Sequence, residues 1–312
     1  MNKIEFGDCR ETMRRWASEG IKAQTCVTSP PYYGLRDYGI DGQIGLEETP
    51  EKYIANMVEV FSCVRDVLAD DGTLWLNIGD SYAGNNSQAS NNGRAGFGNA
   101  RERVVKRTGE GLKTKDLIGI PWMLAFALRA DGWYLRQDII WHKPNPIPES
   151  VRDRCTKAHE YIFLLSKSQK YYYDHEAIRE NSVDTVGSAN RYKTPFFVGE
   201  KHESGGYSAN GSTHTGGMKE FDGKRNRRSV WSVATSPYKG AHFATFPSAL
   251  IEPCILAGSR TGDIVLDPFM GSGTTAQVSL SYNRKYLGCE LNESYKELQE
   301  KRINSALDLF NK

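Results

Sequence analysis

Gly262-Asp263-Ile264-Val265-Leu266-Asp267-Pro268-Phe269-Met270-Gly271-Ser272-Gly273-Thr274-Thr275 reads as a strand, a tight turn and a helix start. The run 264–266 is apolar and partly β-branched, as a buried strand requires. Glycines at 271 and 273 let backbone approach a ligand closely, and a helix N-terminus favours a negative group. The two threonines can cap that helix. Beyond it, Tyr286-Leu287-Gly288-Cys289-Glu290 is a strand ending in a carboxylate that can accept both hydroxyls of a ribose. Together these features describe a nucleoside site. Only one helix, 293–309, remains after them. A doubly wound sheet needs more strands than that, so the N-terminal half must complete it.

The N-terminal half supplies a second motif, Thr28-Ser29-Pro30-Pro31-Tyr32, behind the short apolar run Thr25-Cys26-Val27. Two prolines fix φ, remove two N–H donors and forbid a helix start at Ser29. The Ser29 hydroxyl and the Ser29 and Pro30 carbonyls are left as acceptors beside an aromatic ring. That set can grip a planar base by its exocyclic amine and stack on its face. Completing the sheet with N-terminal strands brings this motif to its carboxyl edge, where ligands sit in open α/β folds.

Between the two motifs the chain alternates strand and helix. Strands are expected at 4–8, 24–28, 73–78, 134–141, 161–165 and 171–173, with helices at 11–17, from Thr49-Pro50, and around 121–130 and 248–256. Asp70-Asp71-Gly72 reads as the stop of the second helix. Two stretches break the pattern. Residues 81–115 are Gly/Asn/Ser-rich and carry Arg101, Arg103, Lys106 and Arg107; residues 176–230 end in Lys224-Arg225-Asn226-Arg227-Arg228. Irregular stretches this long inside a compact domain are functional or disordered.

The paired motifs, in this order, resemble the amino-methyltransferases of DNA restriction–modification systems, in the circularly permuted β group. Gly7-Asp8-Cys9, Leu76-Asn77-Ile78-Gly79-Asp80-Ser81, Trp141-His142-Lys143-Pro144-Asn145-Pro146 and His242-Phe243-Ala244-Thr245-Phe246-Pro247 extend the resemblance over nearly the whole chain. It implies an α/β fold: a mostly parallel, Rossmann-like methyltransferase sheet with helices on both faces and permuted motif order. One domain, 1–312, is implied, with a catalytic half 1–175 and a cofactor half 231–312. Insertion 81–115 would be a DNA-contacting loop and 176–230 the target-recognition region.

The resemblance also implies S-adenosylmethionine as cofactor and double-stranded DNA as substrate, with a cognate restriction endonuclease as a possible partner. Ser29, Pro30, Pro31 and Tyr32 would form the catalytic site. Asp267 would take the methionine amino group and Glu290 the ribose. Asp8 would take the adenine amine. Gly271, Ser272, Gly273 and Thr274 would form the close turn, and Phe246 and Phe269 would supply apolar packing. Arg101, Arg103, Lys106, Arg107, Lys143, Lys224, Arg225, Arg227 and Arg228 are the expected DNA contacts. Ser before Pro-Pro-Tyr leans toward cytosine N4, with adenine N6 the alternative. A DNA-binding relic without turnover is the non-enzymatic alternative.

Gly271-Ser272-Gly273-Thr274-Thr275-Ala276 also satisfies G-x-G-x-x-A, so a nicotinamide dehydrogenase is the other enzyme class considered. The bulky Asp267-Pro268-Phe269 before the glycines and the missing downstream strands speak against it. No Gly-Lys-Ser/Thr ending supports a P-loop. Pro253-Cys254 lies ahead of the cofactor loop, the wrong order for a C5-cytosine nucleophile, and His159-Glu160 lacks a second histidine four positions on. No metal site is expected.

With 39% hydrophobic and 25% charged residues over 312 positions, the composition is that of an ordinary globular chain. A net charge of +2 only weakly favours a nucleic-acid partner. Six scattered cysteines without a C-x-x-C pair fit a reducing compartment. The start Met1-Asn2-Lys3-Ile4-Glu5 carries no apolar signal region and no run could span a bilayer. The expectation is a cytoplasmic protein of bacterial, archaeal or phage origin, monomer or homodimer.

Overall fold

The computed structural model describes residues 1–84, 111–182, 223–235 and 246–310. In chain order its elements are β1 (Lys3–Phe6), α1 (Cys9–Ser18), β2 (Ala23–Thr28), α2 (Pro50–Val67), β3 (Leu68–Ile78), α3 (Ile120–Ala130), β4 (Tyr134–His142) and β5 (His159–Ser166). These are followed by β6 (Glu180–Asn181), β7 (Lys224–Arg225), β8 (Val230–Ser232), α4 (Ser248–Gly258), β9 (Ile264–Asp267), α5 (Thr274–Ser281), β10 (Lys285–Glu290) and α6 (Lys296–Phe310).

β2, β3 and β10 are buried at nearly every position, the pattern of parallel strands covered on both faces. They lie inside an eight-stranded sheet ordered β1-β10-β9-β2-β3-β5-β4-β8. Every neighbouring pair is parallel except the two that involve β5. Helices α1, α2 and α3 pack together, as do α4, α5 and α6, so both faces are covered.

The topology closes the argument about motif order. β2, from the N-terminal half, sits between β3 and β9 and pairs with β9 through Thr25↔Val265 and Cys26↔Leu266. The Thr28 hydroxyl then donates to Asp267 Oδ1 at 2.6 Å, across 239 residues of sequence. Residues 29–32 and the glycine turn therefore leave adjacent parallel strands at one carboxyl edge.

Three local expectations are corrected. Asp70-Asp71-Gly72 does not end the helix and precede a strand; α2 stops at Val67 and the three residues lie inside β3. Their carbonyls are taken by Ser168 Oγ, the Tyr172 amide and the Lys167 amide, so the bend is bonded throughout. Residues 171–173 form no strand: the Tyr172 amide ties to Asp71 O without a ladder. Thr274 and Thr275 do not cap α5. Gly273, at φ +86°, occupies the cap position, and the Thr275 hydroxyl donates to Asp267 Oδ2 at 2.6 Å.

The chain divides into two compact units, Met1–Ala177 with Arg228–Lys312, and Ile178–Arg227. In the second, β6 and β7 pair antiparallel with Glu180 opposite Arg225, joined by an ion pair of 2.9 Å. Among the described residues no helix is long and apolar enough to cross a membrane.

Candidate active site

A cavity of about 1030 Å³ opens at the carboxyl edge of the sheet. It is lined by Ser29, Pro30, Pro31 and Tyr32 on the β2 side, and by Asp267, Phe269, Gly271, Ser272, Thr274 and Glu290 on the β9–β10 side. Asp8, Phe246 and Lys143 line it as well. Gly273 does not. Its missing Cβ faces Gln299 Cα at 3.4 Å, so this glycine serves the turn and the packing of α6.

Tyr32 is held from several sides. Its hydroxyl donates to Glu160 Oε2 at 2.7 Å and lies 3.3 Å from Asn77 Oδ1; Asn77 Nδ2 donates to the Tyr161 carbonyl at 3.1 Å. The ring lies against Gly79, where a Cβ would stand 2.6 Å from Tyr32 Cε2. Burial beside the Glu160 carboxylate pushes the phenol well above its ordinary range, so it stays a donor. The Ser29 hydroxyl in turn donates toward the Tyr32 oxygen at 3.4 Å. A hydroxyl oxygen keeps two lone pairs whichever way its hydrogen turns, so the Ser29 oxygen can accept from the cavity. Glu160 also receives Lys143 Nζ, and that ammonium lies 4.3 Å from the centroid of the Trp141 ring.

On the opposite wall, Glu290 accepts the Gly271 amide at 2.7 Å and the Asn292 amide at 2.8 Å, one on each oxygen. Burial pushes its carboxyl up to about 7; those amides pull it down, and the nearby Asp267 charge adds to the rise. Asp267 is fully buried and pushed up to about 6 by the same loss of solvent, against hydrogen bonds from Thr275, Thr28 and the Phe269 amide. Asp8 caps α1 and is held well ionised by the Arg10 guanidinium. Gly7, at φ +127°, also lines the cavity, with nothing within 4 Å of where its Cβ would point. Anchored carboxylates around an open glycine cradle fit a nucleoside that carries hydroxyls and a positive charge.

The basic residues divide. Lys143 lies in the cavity as an ion-pair partner. Lys224 is exposed, and Arg225 spends its guanidinium on Glu180. Arg227 is half-buried and Arg228 exposed. Arg101, Arg103, Lys106 and Arg107 lie outside the described residues.

A family model described as DNA methylase, of the N6/N4 type, matches residues 23–301. The chain belongs to the N6/N4 DNA methylase family. It is 48% identical to the type II methyltransferase M.Cfr9I of Citrobacter freundii over 299 residues, 95% of this chain and 86% of that one. It is 49% identical to M.SmaI of Serratia marcescens over 306 residues, 96% and 90% of the two chains. Among solved structures, the PvuII DNA methyltransferase, described as cytosine-N4-specific, aligns with a TM-score of 0.61 at 17% identity, over 100% of this chain and 92% of that one. The M1.HpyAVI–SAM complex aligns at 0.53 and 17% identity, covering 97% and 100%.

For this DNA methylase, the structure adds residues to the site that sequence reasoning did not assign: Glu160, Asn77 and Lys157. Lys157 donates to the Asp80 carbonyl at 2.9 Å, and burial holds its ammonium below the usual range. A signal for Glu160 was present. A carboxylate that opens the apolar run Tyr161-Ile162-Phe163-Leu164-Leu165 needs a partner inside the fold.

Proposed function

We propose that the protein methylates the N4 amine of cytosine in duplex DNA at a specific sequence, as a restriction–modification methyltransferase. The carrying observation is the meeting of Ser29-Pro30-Pro31-Tyr32 with the Gly271–Glu290 turn in one cavity. S-adenosylmethionine supplies an electrophilic methyl group when bound. Glu290 would accept the ribose hydroxyls, Asp8 would lie toward the adenine amine, and Asp267 would face the methionine amino group. Phe246 and Phe269 would pack on the apolar parts.

The target amine is a poor nucleophile because its lone pair is delocalised into the ring. Hydrogen bonds from it to Ser29 Oγ and the Pro30 carbonyl localise that lone pair and favour the positive charge that develops. Holding the amine in line supplies much of the remaining rate. A stacked base cannot reach the cavity, so it is extruded at a cost of a few kcal/mol. The Tyr32 ring then offers it a stacking surface worth roughly 1–3 kcal/mol.

Cytosine is favoured by the serine at position 29, because the family pattern puts Asp or Asn there for adenine; the hydroxyl itself can accept from either amine. Residues 176–230 would carry target recognition, and the basic segments would neutralise phosphates. Nucleoside mass spectrometry of DNA from a host expressing the protein, with methylome sequencing, tests the reading. N4-methylcytosine at one recurring sequence is expected. N6-methyladenine would overturn the base, and unmodified DNA the activity.

A further inference from the structure

The loop that follows β4 begins Lys143-Pro144-Asn145-Pro146-Ile147-Pro148. Each proline fixes its own φ, and each residue before a proline is barred from the helical region. Three prolines in six residues therefore stiffen this arm, which bends at Pro144-Asn145 and runs on without regular structure to Pro148. Its base is fixed twice. Lys143 is ion-paired with Glu160, and Asn145 is clasped to Thr235 by Nδ2 to the Thr235 carbonyl at 3.0 Å and the Thr235 amide to Oδ1 at 2.9 Å. The returning chain is braced by Arg154 Nη1 on Glu149 Oε2 at 2.5 Å, with the guanidinium 4.0 Å from the centroid of the Tyr82 ring.

At the free end of this arm stands Ile147, which lines the cavity mouth and is nevertheless 84% exposed. No other large apolar side chain among the described residues is as open to solvent. An isolated exposed hydrophobe usually means little. This one is different in three respects. It is β-branched and stiff at χ1, so ordering it costs little entropy. It projects from a braced arm and not a mobile turn. Arg152 follows five positions on in the same loop and is exposed, a setting suited to a phosphate-lined partner.

We propose that Ile147 is a wedge that enters the duplex beside the target and fills the space an extruded base leaves. This rests on the DNA-methyltransferase reading above and adds the residue that favours the open duplex. Aliphatic wedges stabilise unstacked steps because the gap between base pairs is apolar and of side-chain width. Ile147 would hold the vacated stack apart while Tyr32 receives the base, so the two residues act on opposite ends of one motion.

The test compares two duplexes containing the mapped sequence, one fully paired and one with an abasic position opposite the target, whose base is already unpaired. For Ile147→Ala, kcat/KM on the paired duplex is expected to fall by about tenfold or more, with most of the loss recovered on the abasic duplex. Ile147→Leu, which keeps the bulk, should stay close to wild type on both. Cofactor affinity by calorimetry should be unchanged in both variants, which reports an intact fold. Equal losses on the two duplexes, or no loss on the paired one, would overturn the wedge and leave the methyltransferase reading standing. If the wild-type protein modifies neither duplex, the activity reading fails first and the wedge with it.

Discussion

Tyr32 has almost no freedom left: its hydroxyl is committed to Glu160, and its ring occupies the space a side chain at 79 would need. Gly79→Ala should therefore push the ring out of position. Steady-state kinetics should show kcat down by about tenfold to a hundredfold, since a displacement near 1 Å can cost that much, with cofactor affinity retained. An unchanged kcat would mean that the ring does not receive the base. Glu290 gives a prediction in pH. Its carboxyl titrates near 7 in the folded protein against 4.5 for a free glutamate. The raised value means that its contribution to stability is complete below pH 4.5 and is lost as pH rises through 7. The ionised form is also the better acceptor for two hydroxyls, so cofactor should bind more tightly over the same interval. The thermal shift produced by saturating S-adenosylmethionine should grow between pH 6 and pH 8, and Glu290→Gln should flatten that dependence. A shift that shrinks with pH would remove Glu290 from the ribose. At this scale, residues 29–32 and 267–290 were legible because special backbone geometry leaves marks in sequence as glycine and proline. The partnership of Glu160 and Asn77 with Tyr32 was not: a carboxylate at 160 signals the need for a partner, but which partner depends on β5 running antiparallel beside β3, a pairing set by topology alone.

The elements join through close backbone approaches that tolerate little added volume. Gly258 ends α4 where the helix crosses β2 and β3, and a Cβ there would stand 2.6 Å from Thr25 Oγ1, 2.9 Å from Trp75 Nε1 and 3.0 Å from Thr73 Oγ1. All three are buried, so none can swing away. Gly258→Ala should lower stability by about 1–3 kcal/mol in urea denaturation, as overpacking does. Since Gly258 does not line the cavity, cofactor affinity measured well below the midpoint should be retained. A variant as stable as wild type would show that α4 can shift at no cost. Helices announced themselves in sequence: Thr49-Pro50 is the cap and first turn of α2, and its hydroxyl accepts the Lys52 amide. The misread joints share a cause. Asp70-Asp71-Gly72 has turn chemistry, yet partners a hundred residues away take its carbonyls and keep it in β3. Thr275 has the chemistry of a cap, yet Gly273 in the left-handed region takes the cap position, which puts Thr275 inside the first turn with its hydroxyl donating to the buried Asp267.

In the whole molecule, residues 29–32, the turn at 267–274 and the cavity they line all belong to one unit, Met1–Ala177 with Arg228–Lys312, while Ile178–Arg227 forms the other. That partition is a physical claim about independence, and the ends of the second unit allow it to be tested. Glu180 pairs with Arg225 and Asn181 with Lys224, and the Ser182 amide donates to the Gly223 carbonyl at 2.8 Å. Paired antiparallel residues have Cα atoms about 5 Å apart, so the chain enters and leaves the unit at nearly one point. Replacing residues 182–223 by a two-residue Asn-Gly turn closes the β6–β7 hairpin with the register already present. The sheet, whose strands all lie outside the excised residues, loses none of its ladder hydrogen bonds. The shortened protein should fold, bind S-adenosylmethionine within about threefold of wild type by calorimetry, and lose selective methylation of the mapped sequence, because target recognition is proposed to reside in the removed residues. Its residual DNA binding should respond less steeply to salt, since log Kd changes with the number of phosphates neutralised. Retained selectivity would place recognition within the first unit, in the basic 101–107 segment or around the Ile147 arm. Loss of cofactor binding would show instead that the two units fold as one.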